Sequence, residues 1–244
     1  MVDAGTVGGD GSPGLTVAMH MSDGLVNAPT AAVFGLVAAI GLAIAASRAR
    51  ADLDERTAPM AGLVTAFVFA VQMINFPILP GASGHLLGGA LVAILVGPWV
   101  GSLCIAIVLL VQGILFADGG LTALGLNITN MAIVGVFTGY LVARSLRGLA
   151  RRSRGGLVAV AFIAAFLNTV VASLAFVVEY AIGGAGGAAL GTVVALMVGL
   201  HAVIGIGEGL ITAATVGAVA GTRPDLIYLL RQSVRGRATA GSPS

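Results

Sequence analysis

The chain contains no lysine: all twelve basic residues among its 244 are arginines. A nucleotide-binding loop of the form GxxxxGK[ST] is therefore excluded, and the chain cannot hydrolyse ATP by the P-loop route. Cysteine is nearly absent too. The one copy, Cys104, lies inside the apolar run LCIAIVLL, which rules out a disulfide framework and argues against a cysteine-built metal cluster. Charge of either sign is scarce. Only 9% of residues are charged, against about 25% in a soluble domain. So few charges cannot cover a water-facing surface, and with 58% hydrophobic residues the solvent for most of the chain must be lipid. The formal net charge of +2 does not point to nucleic acid, because the arginines are confined to the stretches between apolar runs.

Those runs number seven: roughly 29–46, 60–75, 84–97, 99–116, 125–143, 156–182 and 188–220. A spanning helix needs about 20 apolar residues. Several runs meet that length, the second and third are short, and the last is long enough to tilt or kink. Stretches such as LVAILVG and LVAVAFIAAF are apolar on every face, which excludes the alternation of a membrane β-barrel. The expectation is an all-α bundle of about seven membrane spans. Arg48, Arg50 and Arg56 lie between the first two runs, five arginines from Arg144 to Arg154 between the fifth and sixth, and four from Arg223 to Arg237 after the last. With seven spans all twelve share one side, which the positive-inside rule makes cytoplasmic, with the C-terminus there and the N-terminus outside. Glycine (37 residues) recurs within the runs and is read as close helix packing.

In so apolar a chain the polar residues at membrane depth or on the outer face carry the information. His20 precedes the first span and His85 enters the third from the loop 76-FPILPGASGHLLGG-89, so both belong to the outer side. Two imidazoles there suit a borderline divalent ion such as Ni²⁺, Co²⁺, Zn²⁺ or Cu²⁺. Two histidines alone make a weak site; two unrelated interfacial histidines are the alternative. If the chain began at Met19, the free α-amine, the His20 amide nitrogen and the His20 imidazole would form fused chelate rings. His85 would then complete a square plane of nitrogens, a geometry suited to Ni(II) or Cu(II). Asp118, Asn127 and Asn130 form a polar group near the outer ends of the fourth and fifth runs. Asp118 is a candidate to orient a metal-bound histidine, and Asn127 a candidate helix cap. His201 and Glu208, seven apart, share one face of the last span and are read chiefly as hydrogen-bonding groups. Glu179, near the outer end of the sixth, is expected to reach water.

The blocks 19-MHMSDGLVN-27, 76-FPILPGASGHLLGGALVAILVGPWVG-101, 112-QGILFADGGLTALGLNITNMAIVG-135 and 208-EGLIT-212 together resemble the CbiM/NikM family. These are the substrate-binding S components of energy-coupling factor transporters for cobalt and nickel. The resemblance implies that Met19, His20 and His85 hold a Ni²⁺ or Co²⁺ ion as transported substrate. It also implies support from Ser83, Asp118, Asn127, Asn130, His201 and Glu208, with no catalytic residue and no organic cofactor. It implies partners as well: a transmembrane coupling (T) subunit, cytoplasmic ATPase subunits, a small accessory membrane subunit and the lipid bilayer of the cell (inner) membrane. The family begins at the Met-His pair, so residues 1–18 are expected to be a mis-assigned or removed leader, 19–222 the membrane domain and 223–244 a cytoplasmic tail. Two rival readings remain. The stretch 81-GASGHLLGG-89 also resembles the serine motif of rhomboid intramembrane proteases, with Ser83 as nucleophile and His201 as base. A self-sufficient ion-coupled metal carrier is the other.

Overall fold

The structure is a computed structural model that describes residues 20–74, 76–79 and 82–231. The chain forms a membrane helical bundle. Five of its helices are long and apolar enough to cross a bilayer: α1 (Ala28–Ala49), α4 (Pro98–Leu115), the continuous helix Leu124–Ser145, α8 (Arg154–Gly183) and α9 (Leu190–Thr222). A shorter apolar helix, α2 (Thr57–Gln72), and the eight-residue α3 (Gly89–Val96) complete the main elements. Within Leu124–Ser145, α5 (Leu124–Asn127) runs into a π-helical stretch, Ile128–Gly135, and continues as α6 (Val136–Ser145). The single turn α7 (Arg147–Ala150) links it to α8.

Each of the seven apolar runs thus carries a helix, but they are not equal. All eight residues of α3 are buried, and at about 1.5 Å per residue it rises only some 12 Å, far short of a hydrocarbon core. A helix apolar on every face belongs inside the bundle, and α3 packs there against α4, α6 and α8. Its separation from α4 is local chemistry. Gly97 adopts φ 93, a left-handed conformation open mainly to glycine, and Pro98 follows as the first residue of α4. At the other extreme α9 has 33 residues, about 50 Å of helix, more than a perpendicular span requires.

Local sequence also sets the start of the bundle. Asn27 caps α1 by accepting from the Thr30 N–H at 3.0 Å, with a proline in the first turn behind it. The Asn27 N–H donates to the Gly183 carbonyl at 2.7 Å, and the Ala185 N–H to the Leu25 carbonyl at 2.9 Å, tying the entry of α1 to the end of α8. A Cβ on Gly183 would run into the side chain of Thr30. Gly183→Ala is therefore expected to cost about 1–3 kcal/mol by overpacking. Thermal unfolding of the detergent-purified protein reads this, and a melting temperature equal to wild type would refute it.

At the opposite end the arginine-bearing segments converge. Arg56 pairs with Asp225 at 3.8 Å, Arg231 with Asp54 at 3.9 Å, and the Tyr228 hydroxyl donates to Asp52 at 3.2 Å. Arg144 lies over the Tyr140 ring, which in turn sits 6.5 Å from Tyr228. The loops after α1, α6 and α9 therefore share one end of the bundle, away from His20 and His85.

Candidate metal centre

The segment after residue 19 is held down residue by residue. Met21 is fully buried, packed on Leu126, Phe176, Val177 and Met197. Its N–H donates to Asn127 Oδ1 at 2.7 Å, and its carbonyl accepts from Asn127 Nδ2 at 3.1 Å and from the Gly120 N–H at 3.0 Å. Asp23 accepts from the backbone N–H (2.8 Å) and hydroxyl of Thr122, hydrogen bonds that hold its carboxyl below the usual range. Asn127 is therefore not a helix cap: it lies one turn inside its helix and clamps the backbone of Met21.

This strapping seats His20 against two loops. From one side comes Asp118, presented by a turn in which Ala117 (φ 53) and Gly119 (φ 88) both take left-handed conformations. His20 Nδ1 donates to Asp118 Oδ1 at 3.1 Å. That bond, ahead of the charge attraction itself, keeps the Asp118 carboxyl below its ordinary range. From the other side comes His85, just past a two-stranded antiparallel hairpin, β1 (Phe76–Leu79) and β2 (Ala82–Gly84). The two imidazoles lie face to face, ring centroids 4.5 Å apart and planes inclined by 38°. They are 4% and 2% exposed, so no bulk water serves them.

The hydrogen bonds decide which nitrogen is free. His85 Nδ1 donates to the Leu86 carbonyl at 3.0 Å, as His20 Nδ1 does to Asp118, so each Nδ1 carries the proton. Both Nε2 atoms are then acceptors, and both are buried without a hydrogen-bond partner among the described residues. A buried acceptor left empty costs about 1–3 kcal/mol. The two rings are adjacent, each with one such acceptor free for an electrophile. Burial, reinforced by the neighbouring His20 ring, pushes His85 below the ordinary imidazole range, so it stays a neutral donor in mildly acidic water. Among the described residues no group of three or more His, Cys, Asp or Glu is arranged to hold a metal.

The remaining candidates fall elsewhere. Met19 lies outside the described residues. Ser83 lies in β2, and its side chain is also outside them. Asn130 spends its Nδ2 on Glu179, donating to Oε2 at 2.6 Å. Glu179 does not reach water; at 1% exposure it is locked between α8 and the π-helical stretch. The π-helical stretch turns Asn130 inward, toward Glu179 on α8. His201 Nδ1 donates to the Met197 carbonyl one turn back at 2.6 Å. The ring lines a cavity of about one water's size with Asn127, Asn130, Met131 and Leu87. Glu208 contacts the backbone just after His85 and not the imidazoles. Sequence reasoning overlooked Gln72, whose Nε2 donates to the Leu87 carbonyl at 2.6 Å. A lone amide closing an apolar helix was the available signal.

Comparison with known proteins converges on one group. A family described as "CbiM: Cobalt uptake substrate-specific transmembrane region" matches residues 20–226. A protein of Archaeoglobus fulgidus, provisionally named fused nickel transport protein NikMN, is 40% identical over 209 residues, covering 86% of this chain and 68% of its own length. The cobalt transport protein CbiM of Sorangium cellulosum is 32% identical over 220 residues, covering 87% of this chain and 96% of its own. A crystal structure of a transition metal transporter superposes with a TM-score of 0.75 at 29% identity, over 83% of this chain and 93% of that one.

Proposed function

This chain belongs to the CbiM family, and from that premise we propose that it is the substrate-specific membrane subunit of an energy-coupling factor transporter that captures Ni²⁺ or Co²⁺ outside the cell. The observation that carries the reading is the pair of buried, facing imidazoles whose Nε2 atoms have no partner. Both metals accept neutral imidazole nitrogen. His20 and His85 supply two donors, and the His20 amide with the Met19 α-amine supplies the other two, closing a four-nitrogen square plane. Asp118 fixes the tautomer and orientation of His20, as a carboxylate behind a metal-bound histidine does. Asn127 and Met21 anchor the segment that carries these donors.

In this reading residues 1–18 are absent from the working protein, 19–222 form the membrane domain and 223–244 a cytoplasmic tail. The N-terminus faces outward, and the arginine-rich end faces the cytoplasm. The chain recognises and carries the ion. ATP hydrolysis belongs to cytoplasmic ATPase subunits, joined through a transmembrane coupling subunit and a small accessory membrane subunit.

Native mass spectrometry of protein purified from metal-supplemented membranes tests the assignment. One nickel or cobalt ion on a chain beginning at Met19 is expected; a metal-free chain would overturn it. Within the site, Asp118→Ala is expected to weaken metal binding about tenfold to a hundredfold, the usual consequence of losing a carboxylate behind a ligating histidine. Isothermal titration with Ni²⁺ reads this, and wild-type affinity in the variant would remove Asp118 from the site.

A further inference from the structure

We infer that Glu208 is the residue that sets the position of His85, so that the metal site is complete only while α9 is seated against the loop that carries it. The inference rests on the reading of His85 as a ligand. It starts from a gap in the backbone accounting: residues 85–88 lie between β2 and α3, and although the Gly88 carbonyl accepts from the Val92 N–H of α3, the Leu87 and Gly88 N–H groups have no backbone partner among the described residues. Buried N–H groups must be satisfied elsewhere. The Leu87 N–H donates to Glu208 Oε2 at 2.6 Å and the Gly88 N–H to Glu208 Oε1 at 2.7 Å. One carboxyl group from 120 residues away thus takes two consecutive peptides, and Gln72 at the end of α2 takes the Leu87 carbonyl between them.

The chain of bonds continues to the metal site. Glu208 and Gln72 fix the Leu87 peptide. That orients the Leu86 carbonyl, which holds His85 Nδ1 at 3.0 Å and so directs Nε2. Leu86 and Leu87 are buried, and beside them lies a cavity of about one water's size lined by Gln72, Leu86, Gly88, Leu91 and Glu208. The two bonds tie both oxygens of one carboxyl group to adjacent peptides, which fixes the position of the loop against α9. The placement of Glu208 matters as well. Helix α9 packs chiefly along α8 and touches the rest of the bundle far less. Glu208 is its polar link to the loop, and any shift of α9 against the bundle is passed to His85.

The test uses the full chain in detergent, loaded with Cu²⁺ as a spectroscopic probe of nitrogen ligation and with Ni²⁺ for retention. Wild type is compared with His85→Ala, Glu208→Ala and Glu208→Gln. Glu208→Ala is expected to shift the copper nitrogen couplings toward those of His85→Ala and to release nickel on the order of a hundredfold faster, with a lower melting temperature because two buried N–H groups lose their acceptor. Glu208→Gln keeps the volume and one acceptor oxygen, so release about tenfold faster is expected; it decides the matter if the alanine variant fails to fold. Wild-type couplings and retention in the folded Glu208 variants, with His85→Ala altered, would overturn the inference alone. Couplings unchanged even in His85→Ala would overturn the ligand reading and the inference with it.

Discussion

His85→Ala is expected to abolish retention of nickel or cobalt through purification, with an affinity loss of at least about a hundredfold, while the helical bundle remains intact. The loss corresponds to about 2.8 kcal/mol or more. It is larger than that expected for Asp118 because a donor itself is removed, whereas Asp118 only orients one. The fold should survive. His85 sits at the end of the bundle away from the arginine-bearing loops, its backbone neighbours are held by Glu208 and Gln72, and among the described residues its side chain hydrogen-bonds to its own neighbour Leu86 and packs on the His20 ring. Truncation also removes a buried, unpartnered acceptor, which by itself should not lower stability. His20→Ala should behave alike for the metal, and it also frees Asp118. Metal content by mass spectrometry, set beside circular dichroism and thermal unfolding, separates the two effects. Wild-type retention in either variant would end the assignment of the site.

The second large effect concerns the nitrogen preceding His20. A chain made to begin at Met19 is expected to bind nickel at least about a hundredfold more tightly than one carrying a single additional residue before it. A free α-amine is a donor in its own right. Once acylated it becomes an amide, which ligates only after losing its proton, and metal affinity falls wherever a proton must first be displaced. Met21 is clamped by Asn127 and Gly120, which anchors the backbone just after His20. Titration with nickel of the two purified forms, each confirmed by intact mass, measures the difference. Equal affinities would mean that the terminal amine is not a ligand, and the donor set would have to be drawn from elsewhere.

Much of this protein was legible without coordinates. Hydrophobicity averaged over a helical run is a local property, so the seven apolar runs located seven helices, and the scarcity of charge demanded lipid around them. Gly97-Pro98 marked the break between α3 and α4 for a reason that lies in two residues' backbone geometry. The arginines revealed which loops keep company. Blocks spread along the chain carried the family resemblance that the family match supports.

What needed the tertiary structure was every pairing across distance. Hydropathy cannot separate a helix bathed in lipid from one buried in protein, so α3 passed as a candidate span until its burial on all sides appeared. Composition shows that a buried glutamate in lipid needs a partner, but not which one. Glu179 took Asn130, and Glu208 took the backbone just after His85. Asn127 read locally as a cap, yet the chain folded back to offer it the Met21 peptide instead. The tautomers of His20 and His85, and with them the free Nε2 pair, depend on an aspartate 98 residues from one and a carbonyl beside the other. Local propensity decides which segments become helices. Long-range packing decides which polar groups meet, because each buried donor or acceptor must find its partner among whatever the fold brings within reach.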